Sequence, residues 1–349
     1  MMELHQVLNE KGEVVSDPPD LPSKALVQLY RHMLRIRIID ERMMTLQRQG
    51  RVGFYGACTG QEAAVIGSAF ALEPDDWIFP ALREGGAALM RGYSLEHYVA
   101  QVMGARDDLQ KGRQMPCHYG DRSVNYVSWS SCIATQLPHA VGTALAMKLR
   151  KRRSLSIVYL GDGATSEGDF HVAMNFAGVL QAPILFFCQN NQWAISVSVK
   201  QQTASDTIAV KALAYGFGGI RIDGNDVLAI YRETRRAVES IRRGEGPVLI
   251  EALTYRMGAH SSSDDPSRYR DERVTEKWKK KDPLLRYRAY LERKKLWDEA
   301  RDQAATDEFQ SEMTAAIQKI ESTGPPAKET LFEDVYARKP WHLQEQESG

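Results

Sequence analysis

The residues with the clearest chemical potential follow two short apolar runs in the middle of the chain. Asp162, in a Gly-Asp-Gly turn, follows the run 155–160, and Asn191, in an Asn-Asn pair, follows the run 184–188. A helical pattern over 167–180 separates the runs, which predicts two parallel strands joined by a right-handed crossover. The carboxyl ends of such strands share one sheet edge, where open α/β sheets bind ligands. We therefore expect Asp162 and Asn191 to lie close together.

These two side chains would offer one carboxylate and one amide oxygen. Such a ligand set suits Mg²⁺, which keeps its remaining positions for water and phosphate oxygens. Gly161 and Gly163 let the backbone approach a diphosphate, and the following helix turns its amino end towards that anion. A strand that ends in Gly-Asp-Gly is a weak signal by itself, because both residue types are common in turns. The Asn-Asn pair after the second strand makes the combination specific.

The elements that must position these residues follow from the hydrophobic pattern. Strands are predicted at 155–160, 184–188, 220–222 and 248–253, and helices at 23–50, 60–72, 94–103, 134–150, 167–180 and 226–243. This alternation predicts an α/β fold, with a parallel sheet and helices on both faces. We predict three parts: an extended N-terminal arm at 1–22, the α/β domain at 23–270, and a helical C-terminal extension at 271–349 packed on it.

The composition limits the class of protein. The chain has 349 residues, with 45 Lys plus Arg and 45 Asp plus Glu, so no overall field favours nucleic acid or an anionic membrane. Its apolar runs fall far short of the about 20 residues of a membrane span. The first residues lack the apolar core of a signal peptide, and the four cysteines form no CxxC pair. These features predict a cytoplasmic protein with reduced thiols that binds neither nucleic acid nor membrane.

The segment that carries both motifs resembles a known enzyme family. Residues 161–196, GDGATSEGDFHVAMNFAGVLQAPILFFCQNNQWAIS, are similar to the α subunits of thiamine diphosphate-dependent 2-oxo acid dehydrogenases. Within that family, residues 111–120, 130–138 and 255–270 resemble the branched-chain enzymes. The resemblance extends over roughly residues 24–343. It implies oxidative decarboxylation of branched-chain 2-oxo acids, such as 3-methyl-2-oxobutanoate, with transfer of the acyl group to a lipoyl domain.

The resemblance also implies roles for individual residues. The Mg²⁺ ligands would be Asp162, Asn191 and the backbone carbonyl of Trp193. Thiamine diphosphate would contact Arg83, Ser131, Ile133, Gly161, Asp162, Gly163, Ala164, Asn191 and His260. The substrate pocket would contain Phe54, Leu82, Met115, His118 and Ser131, and the catalytic residues would be His260, as acid or base, and Ser131. Oxygens around Ser130, Cys132, Thr135 and Gln136 match a K⁺ site of some relatives.

The sequence departs from the family pattern at two of these places. Leu82 stands where the family usually has Tyr, so a hydroxyl near the phosphate-binding Arg83 is missing. Gln189 stands where mammalian branched-chain enzymes have Arg, which removes one positive charge near the diphosphate. Ser261 matches a serine that is phosphorylated in mammalian relatives. These departures leave the cofactor contacts more dependent on Arg83 and Mg²⁺.

The resemblance further implies a partner chain. Thiamine diphosphate needs a second anchor, a carboxylate on its aminopyrimidine, and no glutamate of this sequence can be assigned to that role. In the family a β subunit supplies it within an α₂β₂ heterotetramer, which acts with a lipoyl-bearing dihydrolipoyl acyltransferase core. The C-terminal segment after about residue 271 is charged, and its tryptophans are expected to be exposed. They are candidates for the subunit contact: Trp278, Trp297 and Trp341.

Other functions remain open at this point. A pyruvate or acetoin dehydrogenase α subunit would use the same cofactor chemistry on a smaller or different substrate. A thiamine diphosphate-binding scaffold without turnover would use the same site without catalysis. A nicotinamide-binding protein is disfavoured, because no GxGxxG sequence opens a helix after a strand.

Overall fold

The central element is a parallel β-sheet, described by a computed structural model that covers residues 2–349. The strands are β1 (Leu4–His5), β2 (Trp77–Phe79), β3 (Ser156–Gly161), β4 (Ile184–Asn190), β5 (Trp193–Ala194), β6 (Val197–Ser198), β7 (Gly218–Asp223) and β8 (Val248–Leu253). One six-stranded sheet has the spatial order β1-β7-β8-β4-β3-β2, and its neighbouring strands run parallel. β5 and β6 form a separate antiparallel pair.

Helices cover both faces of the six-stranded sheet. They are α1 (Ser23–Arg48), α2 (Glu62–Phe70), α3 (Gly85–Met90), α4 (Leu95–Met103), α5 (Gln136–Leu149), α6 (Gly168–Leu180), α7 (Val199–Gln202), α8 (Val227–Arg242), α9 (Glu272–Lys279), α10 (Pro283–Arg293), α11 (Glu299–Glu321) and α12 (Trp341–Ser348). Ile157 and Phe187 belong to a core that includes α1, α2 and α8. Val158 and Phe186 belong to a second core that includes α5 and α6. Apolar residues in succession therefore bury both faces, which confirms the predicted α/β fold.

The predicted strands and helices are present with small differences at their ends. β7 extends the predicted run 220–222 in both directions, and α1 ends just before the predicted stop at Gly50. The sequence pattern missed β2 and the short helix α3. Both are too short for their periodicity to be distinguished from that of a loop. Within residues 2–349, none of the helices combines the length and the apolar character needed to cross a bilayer.

The N-terminal segment contributes an edge strand to the sheet and two residues to the core. Leu4 and His5 pair with β7 and add an edge strand to the sheet. Val7 and Leu8 are fully buried, and both their backbone N–H groups donate to Asp226 Oδ2 at 2.6 Å. Two apolar side chains and one buried carboxylate therefore fix a segment that looked polar overall. Met1 lies outside the described residues.

The C-terminal extension packs on the main body, and one of its predicted contact residues is misplaced. Trp297 is only 5% exposed, and its ring lies 5.1 Å from that of Tyr30 on α1. It therefore cannot reach a partner chain, and its exposure was wrongly predicted from a charged local sequence. Trp278 stacks on Tyr255, whereas Trp341 is 72% exposed. The division of the chain into three parts remains a prediction.

Candidate active site

A pocket of about 410 Å³ lies at the carboxyl ends of β3 and β4. Gly161 and Gln189 are register partners at these strand ends, so the residues after them meet at one sheet edge. The predicted site residues that line the pocket are Phe54, Leu82, Arg83, Met115, Ser131, Ile133, Gly161, Asp162, Gly163, Ala164, Asn191, Trp193 and His260. The fold thus brings together residues from both halves of the chain, and their individual roles remain predictions.

Asp162 and Asn191 supply the oxygen atoms expected of a metal site. Asp162 is 1% exposed, and burial raises the pKa of its carboxyl to about 6, although a hydrogen bond from Gln202 Nε2 at 2.9 Å opposes the shift. Asn191 donates from Nδ2 to Gln61 Oε1 at 3.1 Å, which leaves Asn191 Oδ1 as the acceptor of the Trp193 N–H. These contacts orient the carboxylate and the amide oxygen at the pocket edge.

Arg83 is a buried cation whose direct hydrogen-bond partners are neutral. Its guanidinium donates to the carbonyls of Ala57 and His260 and also faces His260 Nδ1 at 3.3 Å. Burial lowers the pKa of Arg83 to about 10, and the nearby charge of Arg256 adds to the shift. Glu84 and Asp40 oppose this shift, but no carboxylate within residues 2–349 contacts the guanidinium directly. A buried charge with so little compensation is costly, so this arrangement favours an anion in the pocket.

The same contact determines the protonation state of His260. A guanidinium can only donate, so His260 Nδ1 is an acceptor and the proton of the neutral ring lies on Nε2. Burial, together with Arg83 and Arg256, lowers the pKa of His260 to about 4. The ring is therefore neutral at physiological pH, and Nε2 carries its transferable proton. The backbone N–H of His260 donates to Asp264 Oδ2 at 2.6 Å, which fixes the loop.

Arg256 is a second buried cation, and the sequence analysis assigned it no role. It is 1% exposed and donates to the carbonyls of Trp193 at 3.2 Å and Ile195 at 2.8 Å. Its third partner is the hydroxyl of Tyr269 at 3.0 Å. The Trp193 carbonyl, predicted as a metal ligand, therefore already accepts one hydrogen bond, although its second lone pair stays available.

Glu84 and Gln189 form a hydrogen-bonded pair beside Arg83 in the pocket lining. Gln189 Nε2 donates to Glu84 Oε1, and the backbone N–H groups of Ala81 and Arg83 donate to Glu84 Oε2 at 2.8 and 3.1 Å. Burial raises the pKa of Glu84 to about 7. Because Gln189 is neutral, the carboxyl group lacks the salt-bridge partner that an arginine at position 189 would provide.

Ser131 is held by a histidine that lies behind it. His118 Nε2 is 3.0 Å from Ser131 Oγ, and His118 Nδ1 is 3.1 Å from the Pro116 carbonyl. A carbonyl only accepts, so Nδ1 carries the proton of the neutral ring and Ser131 donates to Nε2. His118 is 3% exposed and stacks on Trp129 at 4.1 Å. His118 is not among the residues that line the pocket but contacts Ser131, which does, and its role in the substrate pocket stays a prediction.

The opposite side of the pocket is apolar. Phe54 and Leu82 are partly buried there, whereas Met115, Ile133 and Ile195 are 55%, 50% and 52% exposed. When such exposed apolar side chains form a contiguous patch, the patch usually marks a surface that binds a ligand or another chain. The pocket thus has a charged pole for an anion and an apolar wall beside it.

The pocket fits thiamine diphosphate with a divalent cation. The charged pole offers Arg83 without a carboxylate partner in direct contact, together with the buried carboxylate of Asp162. At Gly163 a Cβ atom would lie 2.6 Å from the Cβ of Ala194, so glycine is what allows these two segments of the pocket lining to approach so closely. Gln61 Nε2, Gln136 Oε1 and Gln189 Oε1 are buried without hydrogen-bond partners. A polar ligand can satisfy such groups at once.

The loop before α5 was predicted to offer oxygens to K⁺. In the structure Thr135 Oγ1 donates to the Cys132 carbonyl at 2.8 Å, and the Cys132 N–H donates to Ser130 Oγ at 3.2 Å. Gln136 is buried and donates to the Tyr159 carbonyl at 2.9 Å. These contacts brace the loop, and its carbonyl oxygens retain free lone pairs.

Sequence reasoning missed several residues that complete the pocket. Gln61, Glu84, Trp129 and Arg256 line it but belong to four separate segments and are remote in sequence from the two strand-end motifs. Their only sequence signal is adjacency: Glu84 follows Arg83, and Trp129 precedes the predicted 130–138 segment. Gln61 gave no signal, because an isolated glutamine before a helix is common on protein surfaces.

Comparison with known proteins identifies the family of this chain. Residues 30–329 match the family described as "Dehydrogenase E1 component". The chain is 43% identical to 2-oxoisovalerate dehydrogenase subunit alpha 2, mitochondrial, of Arabidopsis thaliana, over 98% of this chain and 73% of that protein. It is 42% identical to the mitochondrial alpha subunit of Caenorhabditis elegans, over 98% of this chain and 80% of that protein. It is 41% identical to the mitochondrial alpha subunit of Homo sapiens, over 99% of this chain and 78% of that protein.

These names contradict the predicted location. Each of the three relatives is named a mitochondrial protein. The prediction of a cytoplasmic protein is therefore wrong by this comparison. It rested on composition and on the first residues of the sequence, neither of which determines the compartment.

Proposed function

The chain belongs to the dehydrogenase E1 component family, whose members depend on thiamine diphosphate, and we propose that it is the α subunit of a branched-chain 2-oxo acid dehydrogenase. Its relatives in plants, nematodes and mammals carry the name 2-oxoisovalerate dehydrogenase. The observation that carries the proposal is the two-sided pocket. Arg83 and Asp162 form its charged pole, and Phe54 and Leu82 form part of its apolar wall.

The charged pole is proposed to hold the diphosphate and its metal ion. Asp162, Asn191 and the Trp193 carbonyl would ligate Mg²⁺, because hard oxygen donors are what this ion prefers. Arg83 would pair with a phosphate through its planar guanidinium, and the backbone of Gly163 and Ala164 would approach the same group. Gly161 and Ile133 would complete the contacts to the cofactor.

The remaining residues of the pocket would act on the substrate. Bound thiamine diphosphate supplies the carbon nucleophile and the electron sink for decarboxylation. His260 would present its Nε2 proton near the reacting carbon, and Arg83 holds the ring in that tautomer. Ser131 would contact the substrate while its own proton points to His118. Phe54, Leu82 and Met115 would exclude water and enclose the apolar side chain of the acid.

A β subunit is the proposed partner, within an α₂β₂ heterotetramer that delivers its acyl group to a lipoyl-bearing acyltransferase core. Two features of the pocket support a second chain. Its apolar wall leaves Met115, Ile133 and Ile195 half exposed, and we can assign no carboxylate of the pocket to the aminopyrimidine. Both carboxylate oxygens of Glu84 already accept hydrogen bonds from the protein, so this residue is not assigned to the aminopyrimidine. A K⁺ ion is proposed at the carbonyl oxygens of residues 130–136, where it would brace the loop that carries Ser131.

The deciding experiment is to co-express this chain with its β subunit and to measure kcat/KM for two acids. The isopropyl group of 3-methyl-2-oxobutanoate has two more carbons than the methyl group of pyruvate, and each buried CH₂ is worth about 0.8 kcal/mol. We expect a preference of roughly ten- to a hundred-fold for the branched acid. Equal values, or a preference for pyruvate, would move the assignment to a pyruvate-type enzyme. Background turnover despite bound cofactor would indicate a scaffold.

The isolated chain provides a second test of the two-chain site. With Mg²⁺ and thiamine diphosphate but no β subunit, we expect no release of CO₂ above background, because the second anchor of the cofactor is absent. Robust turnover by the isolated chain would refute this proposal.

A further inference from the structure

Leu82, in the apolar wall of the pocket, packs directly against the backbone of Gly56. A Cβ atom built on Gly56 would lie 2.9 Å from Leu82 Cδ1, 2.9 Å from Leu82 Cγ and 3.0 Å from Leu82 Cδ2. Carbon atoms in ordinary contact are about 3.5–4.0 Å apart. The branched end of Leu82 therefore occupies the space that a side chain at position 56 would need.

Space, and not backbone conformation, is what requires glycine here. Gly56 is buried, and its φ is not in the left-handed region where glycine is favoured. Alanine could therefore adopt the backbone of residue 56 without strain, and the three atoms nearest to a new methyl group all belong to Leu82. The closest contacts are therefore relieved by a movement of Leu82, which also lines the pocket.

We propose that Gly56 and Leu82 form a pair that determines which size of 2-oxo acid the pocket accepts. Glycine at position 56 lets Leu82 lean away from the pocket, which leaves room for a branched side chain. This inference rests on the function proposed above and adds Gly56, which does not itself line the pocket, as a residue that controls specificity by positioning Leu82.

The direction of the effect follows from packing. Alanine at position 56 pushes Leu82 towards the pocket by about 1 Å, since the present separations are that far below ordinary contact. The loss of room corresponds to about one methylene group, and one methylene in a hydrophobic pocket changes specificity by about 10–200-fold. A branched acid fills the space that Leu82 would enter, whereas pyruvate leaves that space empty.

The test measures Gly56→Ala in the assembled α and β enzyme. We expect the ratio of kcat/KM for 3-methyl-2-oxobutanoate to that for pyruvate to fall by about tenfold. The affinity for thiamine diphosphate with Mg²⁺, measured by calorimetry, should stay within about threefold, because Arg83 and Asp162 are untouched. A folded Gly56→Ala enzyme with the wild-type ratio would overturn the proposal.

Gly53→Ala is the matched control. Gly53 is exposed, has no left-handed φ, and a Cβ atom there would meet nothing within 4 Å. It lies in the same segment as Gly56, so it tests for a general effect of adding a methyl group to this loop. We expect the wild-type ratio in this variant. A fall equal to that of Gly56→Ala would overturn the proposal, since the effect would not depend on Leu82.

Two further variants keep the proposal testable if Gly56→Ala does not fold. Leu82→Ala alone should enlarge the pocket and raise kcat/KM for 4-methyl-2-oxopentanoate relative to 3-methyl-2-oxobutanoate by several-fold. The double variant Gly56→Ala with Leu82→Ala removes the side chain atoms that the new methyl group meets. It should restore the branched-acid ratio lost in Gly56→Ala. An unchanged acid profile in Leu82→Ala would overturn the proposal.

The outcomes for the wild-type enzyme separate this inference from the proposed function. If the wild-type enzyme prefers the branched acid and Gly56→Ala keeps that preference, the pair is refuted and the function stands. If the wild-type enzyme prefers pyruvate or turns over neither acid, the function fails and the inference fails with it.

Discussion

Two buried arginines show how differently the helical framework and the strand-end pocket handle charge. Arg37 on α1 donates to Glu62 and, at 3.1 Å, to Asp282. Burial lowers the pKa of Arg37, but these two carboxylates outweigh it and raise that pKa. Arg83 is more deeply buried and has only neutral acceptors in direct contact, so its pKa is lowered to about 10. The framework neutralises its charges internally, whereas the pocket leaves its cation for an external anion.

Neutral polar groups show this contrast only in part. In the framework, Trp297 Nε1 and the Tyr30 hydroxyl both donate to Asp302, whereas the Tyr119 hydroxyl and Ser156 Oγ are buried without a partner. In the pocket, Gln61, Gln136 and Gln189 each keep a buried atom without a partner. An unsatisfied buried group costs about 1–3 kcal/mol. The clear difference is therefore in charge, because only the pocket keeps its arginine without a carboxylate in direct contact. The following predictions test this difference.

The largest expected effect is on catalysis. His260→Ala should reduce acyl transfer to a lipoyl domain by about 10²–10⁴-fold, the usual contribution of a positioned acid or base. Folding and cofactor affinity should change little, because His260 is only partly buried and its ring makes one weak contact. His342→Ala, at an exposed histidine outside the pocket, is the control. Wild-type acyl transfer in His260→Ala would remove this residue from the reaction.

The next effect is on the stability of the framework. Arg37→Met leaves Glu62 fully buried without its counter-ion, and breaking such a pair costs about 3–5 kcal/mol. We expect the free energy of unfolding, measured with denaturant, to fall by that amount. Cofactor affinity per folded molecule should not change. If Arg37→Met weakens cofactor binding but leaves the free energy of unfolding unchanged, the proposed difference between the framework and the pocket is contradicted.

The reverse pattern is expected for the pocket. Arg83→Met should weaken thiamine diphosphate binding by about 10–100-fold, because one charge-assisted hydrogen bond contributes about 1.5–3 kcal/mol. The free energy of unfolding of the cofactor-free protein should stay the same or rise, since an uncompensated buried cation is removed. Arg83→Lys keeps the positive charge but loses the planar guanidinium, so it should recover part of the affinity for thiamine diphosphate. A large loss of stability in Arg83→Met would show that its carbonyl contacts support the fold.

The smallest effect is on the pH dependence of stability. Burial, with Arg35 and Arg31, lowers the pKa of His32 to about 4, while the model-peptide value is about 6.5. The unfolded chain therefore binds the proton more readily between pH 6.5 and 4, so the stability present above this window is lost as the pH falls through it. His32→Gln should reduce that loss by about 1–2 kcal/mol. The free energy of unfolding is measured against pH for both proteins. If His32→Gln loses as much stability as the wild type between pH 6.5 and 4, the prediction is contradicted.

The sequence determined the features that depend on local periodicity. The runs that became β3, β4 and β8 are apolar at nearly every position, which only a sheet buried on both faces requires. Once those strands are parallel, Asp162 and Asn191 must follow neighbouring ends, so the core of the site could be derived from the order of elements alone. The resemblance to a known family then supplied the other residues of the pocket one by one.

Only the tertiary structure decided the contacts made across long separations in sequence. It placed Arg256 beside Trp193 and Gln61 beside Asn191, and it set His118 behind Ser131 and not in the pocket. It also buried Trp297, whose charged local sequence suggested an exposed residue. Each of these outcomes depends on which distant side chain fills a given space or accepts a given proton. Periodicity reports how one element alternates between core and solvent, but it carries no information about the partner on the other side.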